Sequence, residues 1–204
     1  MDNGRTNNDR IVTIRVYRLR MDDLRRRGET LYRGLSEEDK ASADRFRSAD
    51  DRLRRIGSAY LMQKYVGEGI YRDDNGKPRK AGAFFNVSHG GEYVVIALAP
   101  CEVGVDVEPD GRTEEEVFSR VATEEERASG DFGLVWTLKE SLLKCVGTGL
   151  VADLKSAPAF PEGKKEYGER TFYCAACLYD GHRFAVTAET DKDAEVLFYE
   201  ERLQ

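Results

Sequence analysis

The residues in this sequence best suited to chemistry are acidic. In Gly104-Val-Asp106-Val-Glu108, three valines at 103, 105 and 107 alternate with the glycine and the two acids. That is the period of a strand, and successive strand side chains leave opposite faces, so Asp106 and Glu108 share one. Further on, Trp136-Thr-Leu-Lys-Glu140-Ser-Leu-Leu-Lys144 has Trp136, Leu142, Leu143 and Val146 at helical spacing, with Glu140 and Lys144 one turn apart. Three carboxylates and a lysine on two rigid elements suit a Mg²⁺ that holds phosphates, because Mg²⁺ takes hard oxygen ligands and keeps some of its waters. A polar strand end and an ordinary Glu–Lys helix pair explain the same residues equally well.

A second group is suited to phosphates. Ser88 and His89 stand before Gly90-Gly91, where the backbone is open to close approach by a ligand. His89 is one of only two histidines, and such a residue serves packing at least as often as chemistry. Arg45, Arg47, Arg52, Arg54 and Arg55 crowd one segment; most must be solvated, leaving one or two to grip an anion. Cys174-Ala-Ala-Cys177 has a CxxC outline, but on a strand its sulfurs diverge and no second pair completes a zinc set, so it reads as structural.

The elements that must carry these residues are legible from pattern. Residues 11–20 alternate as a strand. Ser36 is a helix N-cap with Asp39 in the capping-box position, giving a helix near 37–46 and a longer one near 49–66. Asn75-Gly76-Lys77-Pro78 is a turn. A strand from Phe84 leads into a polar loop at 88–91, and 93–99 is apolar throughout, as a central strand is. After 103–108, Thr113 and Thr123 each open a short helix with a capping box, and the Trp136 helix spans 133–147. Residues 152–169 read as loop, and 170–179, 182–189 and 195–200 as a three-stranded meander turning at Asp180-Gly181. The order of strands and helices before residue 100 is echoed after it. This predicts an α+β chain of two pseudo-symmetric lobes, 11–101 and 102–204, behind a frayed tail at 1–10, with the acidic strand at the lobe junction.

Composition narrows the class. With 40% hydrophobic and 34% charged residues the chain reads as a soluble globular protein. No apolar run approaches the length of a membrane span, and the first residues lack a signal-peptide core. Four cysteines without such a signal point to free thiols and a cytoplasmic location. Net charge is −6, yet residues 1–65 carry 16 basic against 11 acidic side chains and the remainder 16 against 27. A basic first third and an acidic remainder suit a ligand with anionic groups at one end and a metal at the other, and suit ordinary surface charge equally.

Taken in order, Asn75-Gly-Lys77-Pro78, Phe85-Asn-Val-Ser88-His89, Gly104-Val-Asp106-Val-Glu108 and Trp136-Thr-Leu-Lys-Glu140-Ser-Leu-Leu-Lys144 resemble the 4′-phosphopantetheinyl transferases, in particular the surfactin-synthetase-activating (Sfp-like) type with two lobes in one chain. The resemblance spans roughly residues 36–150. It implies transfer of the phosphopantetheine arm of coenzyme A to a serine of an acyl or peptidyl carrier protein, with release of adenosine 3′,5′-bisphosphate. It implies Asp106, Glu108 and Glu140 as ligands of Mg²⁺ (Mn²⁺ being the other candidate), and Lys144 at the phosphates. Ser88, His89, Lys77, Pro78 and Arg54 become coenzyme A contacts, Lys40 and Arg45 further candidates for its 3′-phosphate, and Glu126 the general base unless a metal-bound water takes that part. The segment between Glu126 and Trp136 is shorter than in the family, and Gly57-Ser58 departs from its usual pattern, which leaves the carrier partner open. A monomer is expected, with no nucleic acid and no membrane as partner. The rival readings are a non-catalytic binder of coenzyme A or a carrier protein on the same fold, and a nucleic-acid binder using the arginine-rich segment, which lacks aromatic platforms nearby.

Overall fold

A computed structural model of the chain describes residues 11–111, 115–128, 130–148, 154–160 and 162–203. The alternating apolar residues of β1 (Ile11–Arg20) run straight into α1 (Met21–Arg33), followed by α2 (Glu37–Ala43) and α3 (Ala49–Tyr65). Ser36 and Ser48 cap α2 and α3 by accepting from the amides of Asp39 and Asp51. A small hairpin, β2 (Tyr71–Arg72) and β3 (Pro78–Arg79), precedes β4 (Phe84–Gly90), β5 (Tyr93–Ala99) and β6 (Val103–Pro109). Then come α4 (Glu115–Val121), α5 (Glu124–Ala128), α6 (Phe132–Val146), β7 (Glu162–Tyr167), β8 (Arg170–Tyr179), β9 (His182–Glu189) and β10 (Asp193–Glu201).

Two four-stranded sheets form, in the orders β10-β1-β5-β4 and β6-β9-β8-β7. Their facing sides share one apolar core. Val12, Ile14, Val16, Tyr93, Val95 and Ala97 come from the first sheet, and Val103, Val105, Val107, Phe184, Val186 and Ala188 from the second. Each valine, isoleucine or phenylalanine among them, taken fully out of water, contributes about 1.5–3 kcal/mol. The outer face of the first sheet is covered by α1 and α3 through Leu24, Leu61 and Met62. That of the second is covered by α6 through Leu138, Leu142 and Leu143. Among the described residues no helix is long and apolar enough to cross a membrane.

Four features differ from the sequence reading. Residues 21–33 form α1, whose apolar positions Met21, Leu24 and Leu31 are diluted by charged neighbours. Residues 162–167, expected as loop, are an edge strand, polar in sequence because only one of its sides is paired. Ser88 and His89 lie within β4, which pairs with β5 as far as Gly90. Finally, the segment expected as third strand of a meander leaves β9 and pairs in parallel with β1, Ile11 opposite Asp193. Ala194, Val196 and Phe198 draw it there by packing on the inter-sheet core. Glu201 fixes its end, accepting from Tyr60, Lys64 and Tyr65. The helix start expected at Thr113 lies outside the described residues.

Candidate active site

The acidic strand and the Trp136 helix meet because Gly104 has no side chain. A Cβ there would lie 2.0 Å from the Ser141 carbonyl oxygen and 2.4 Å from the Cys145 nitrogen, so α6 rests directly on the β6 backbone. Further along the same strand face, Asp106 meets α6 at Lys144. The Lys144 ammonium stands 2.6 Å from Asp106 Oδ1 and donates to Ser88 Oγ at 2.9 Å. Ser88 in turn donates to Asp106 Oδ1 at 2.8 Å. The first sheet approaches just as closely: a Cβ on Gly90 would lie 2.1 Å from the Val107 carbonyl oxygen. Asn86 Oδ1 accepts from the Val105 amide at 3.0 Å, fastening β4 to β6. The site is therefore a seam between two sheets with α6 laid along it.

Its electrostatics are unbalanced in a telling way. Asp106 is 3% exposed and Glu140 8%. Asp106 Oδ2 and Glu140 Oε1 are buried and have no hydrogen-bond partner among the described residues. Such orphaned oxygens are costly unless something positive meets them. Burial pushes the Glu140 carboxyl up to about 7; Lys144 pulls it back, while the charges of Asp106 and Glu108 add to the rise. These hard, open oxygens suit a divalent cation. Among the described residues, however, no three His, Cys, Asp or Glu side chains form a ready metal-holding group. Asp106 and Glu140 supply the open oxygens, and Glu108 is near enough for its charge to act on Glu140.

On the other side of Ser88 the charges are positive. Arg54, on α3, donates to the Gly91 carbonyl at 2.9 Å and to Asp51 at 2.7 Å, and its buried Nε has no partner. His89 is exposed on the surface. Crowding of its ring and the positive charges of Lys144 and Arg54 hold its pKa below the ordinary imidazole value. Arg54, His89 and Lys144 thus line one stretch at the edge of β4, next to the open carboxylates.

The model of the 4′-phosphopantetheinyl transferase superfamily matches residues 102–188, from the start of β6 to the end of β9. The 4′-phosphopantetheinyl transferase psf-1 of Bacillus pumilus is 30% identical over 74% of this chain and 74% of its own length. The chain belongs to the 4′-phosphopantetheinyl transferase superfamily. The transferase gsp of Aneurinibacillus migulanus is 27% identical over 60% of each chain. The transferase Sfp of Bacillus subtilis is 25% identical over 60% of this chain and 64% of its own. These relatives place it with the Sfp-like type, and it is a 4′-phosphopantetheinyl transferase.

The remaining expected residues of the transferase divide clearly. Lys77 is buried with its ammonium committed elsewhere: it pairs with Glu102 at 3.0 Å and donates to the Cys145 carbonyl at 3.1 Å, capping the C-terminal end of α6. Pro78 opens β3 beside it, and Arg79 joins the same Glu102. Lys40 pairs with Glu37 on its own helix, and Arg45 is exposed just beyond that helix. No described contact links either to Arg54 or His89. Glu126 and Thr123 form the full reciprocal capping box, with bonds of 2.8 and 3.2 Å. The Glu126 carboxylate also accepts from the Ala159 amide at 3.0 Å and pairs with Lys139 at 2.9 Å. Burial alone would raise its pKa, but Lys139 and the two amides hold it below the ordinary glutamate value.

Two residues went unnoticed in the sequence. Asn86 stood inside a recognised motif, yet its task, pinning β6, depends on a strand outside its own sheet. Lys139 is wholly buried and also donates to the carbonyls of Leu154 and Ala157 at 2.9 and 2.7 Å. Its one sequence signal is its position three or four residues from Val135, Trp136, Leu142 and Leu143, on an apolar helix face that would exclude an unpaired charge.

Proposed function

We propose that this transferase moves the 4′-phosphopantetheine arm of coenzyme A to a serine hydroxyl of an apo acyl or peptidyl carrier protein and releases adenosine 3′,5′-bisphosphate. The observation that carries this reading is the Lys144 ammonium spanning Ser88 and Asp106 beside two open carboxylate oxygens. Asp106, Glu108 and Glu140 would hold Mg²⁺, with Mn²⁺ as the other ion of suitable chemistry. The ion, when bound, supplies positive charge to the pyrophosphate and to the charge that develops on it.

The chain's own residues account for the rest. An ammonium has three N–H donors, and Asp106 and Ser88 take two from Lys144, leaving one for a phosphate oxygen. Arg54 adds a guanidinium fixed by the Gly91 carbonyl, so its charge is placed before the ligand arrives. Ser88 acts through its neighbours, orienting Asp106 and Lys144. Glu140, whose carboxyl sits at about 7 in the metal-free site, would give its open Oε1 to the ion and release its proton as the ion binds. As the serine oxygen bonds to phosphorus, the bond from phosphorus to the bisphosphate oxygen breaks and the serine proton passes to a water molecule in the site. Glu126 serves the scaffold in this scheme, because its oxygens are already engaged. The reading extends to a cytoplasmic monomer, since both sides of the seam come from one chain, with neither nucleic acid nor membrane as ligand.

Asp106→Ala and Glu140→Ala are each expected to lower transfer by at least about a hundredfold, as does removal of a preorganised electrostatic group elsewhere. Mass spectrometry of an apo-carrier incubated with coenzyme A and Mg²⁺ measures this, with circular dichroism as the control for folding. Wild-type rates in either variant would sink the assignment. A non-catalytic binder on this fold is the second reading; retention of buried open carboxylates disfavours it, because without a catalytic task they only cost stability.

A further inference from the structure

A cavity of about 370 Å³ opens between α1, α3 and the residues after β10, on helix positions other than those that carry Arg54. It is lined by Arg27, Thr30, Leu31, Tyr60, Lys64, Arg202 and Leu203. The volume falls within the roughly 300–1,000 Å³ of small-molecule sites. Three cations line it and no acid does. Lys64 is already matched, pairing with the buried Glu201 beneath the wall at 2.5 Å. The side chains of Arg27 and Arg202 make no hydrogen bond or ion pair among the described residues, so two unmatched guanidinium groups belong to residues that line the cavity. Both are exposed and therefore free to turn toward a ligand. Leu31 and Leu203 supply apolar wall, and Thr30 a hydroxyl.

We propose that this cavity is a second binding site, separate from the catalytic seam, for a phosphate monoester carrying an apolar body. Two unmatched guanidinium forks fit a dianionic phosphate both in charge and in bidentate geometry, whereas a single carboxylate would leave one of them unpaired. The leucines then cover the apolar part of the ligand. None of these residues belongs to the catalytic seam, so the site stands or falls independently of the proposed reaction.

Phenyl phosphate is the probe, with benzoate as the monoanionic counterpart, titrated into the isotopically labelled full chain and followed by amide chemical shifts. Saturable shifts at Thr30, Leu31 and Leu203 are expected with phenyl phosphate, with benzoate at least about tenfold weaker. The double variant Arg27→Gln/Arg202→Gln, altered only at exposed positions, should lose those shifts while transfer activity stays at the wild-type level. Shifts at Ser88 and His89 report separately on the catalytic seam. Absence of saturable shifts at the cavity amides, their persistence in the double variant, or equal binding of benzoate would each overturn the proposal.

Discussion

At the scale of single residues, Glu140 ties the site to pH. Its folded pKa is raised to about 7 from an ordinary 4.5, so the native state keeps this proton where the unfolded chain has released it. Without metal, the contribution of Glu140 to stability therefore falls as pH rises from about 4.5 to 7 and is level above that. Glu140→Gln carries no such proton. It should melt level with the wild type near pH 4.5 and about 5 °C higher at pH 8. Added Mg²⁺ should close that gap at pH 8 by stabilising only the wild type. Thermal melts across pH with and without Mg²⁺ check this, and parallel profiles for the two proteins would refute it. Asp106 with Glu108, and Glu140 with Lys144, were legible as two pairs, each from the local period of its strand or helix; that the two pairs belong together came from the family resemblance. Lys77 was not: its partners Glu102 and the Cys145 carbonyl are distant in sequence, and nothing beside it forecasts its burial.

At the scale of elements, the Trp136 helix is positioned from behind. Glu126 on α5 and the carbonyls of residues 154 and 157 converge on Lys139, one residue before Glu140. Glu126→Gln preserves a capping box, since glutamine serves in that position as glutamate does. It is expected to lose about 1–3 kcal/mol of stability, from the buried Lys139 charge left without its anion, and to keep transfer within about tenfold of wild type. Denaturant unfolding and carrier loading together test this. A loss of about a thousandfold in rate at unchanged stability would restore Glu126 as the base. Elements with a plain signal were readable, β1 by its alternation, β5 by being apolar throughout and α3 by its helical spacing. α1 was obscured because seven of its thirteen residues are charged, and β7 because an edge strand with two polar faces lacks any alternation.

At the scale of the whole molecule, the Lys77 ammonium joins the β2–β3 turn to the strand and helix that carry the acids. Asn75 adds a bond from its side-chain amide to the Gly147 carbonyl at 2.8 Å. Lys77→Met should therefore lower stability by about 3 kcal/mol, because Glu102 and the α6 carbonyls lose a buried cation, with KM for coenzyme A changing less than about threefold. A large rise in KM at unchanged melting temperature would show the side chain to be a ligand contact instead. The two sheets were foreseeable from the repeated order of elements; the exchange of one strand between them was not, since pairing across most of the chain leaves no local trace. That exchange has a consequence for synthesis. Ile11 cannot meet Asp193 until the ribosome has made nearly everything in between, so the first sheet must wait with one flank open. An early truncation product would present β1 as a sticky template for other chains.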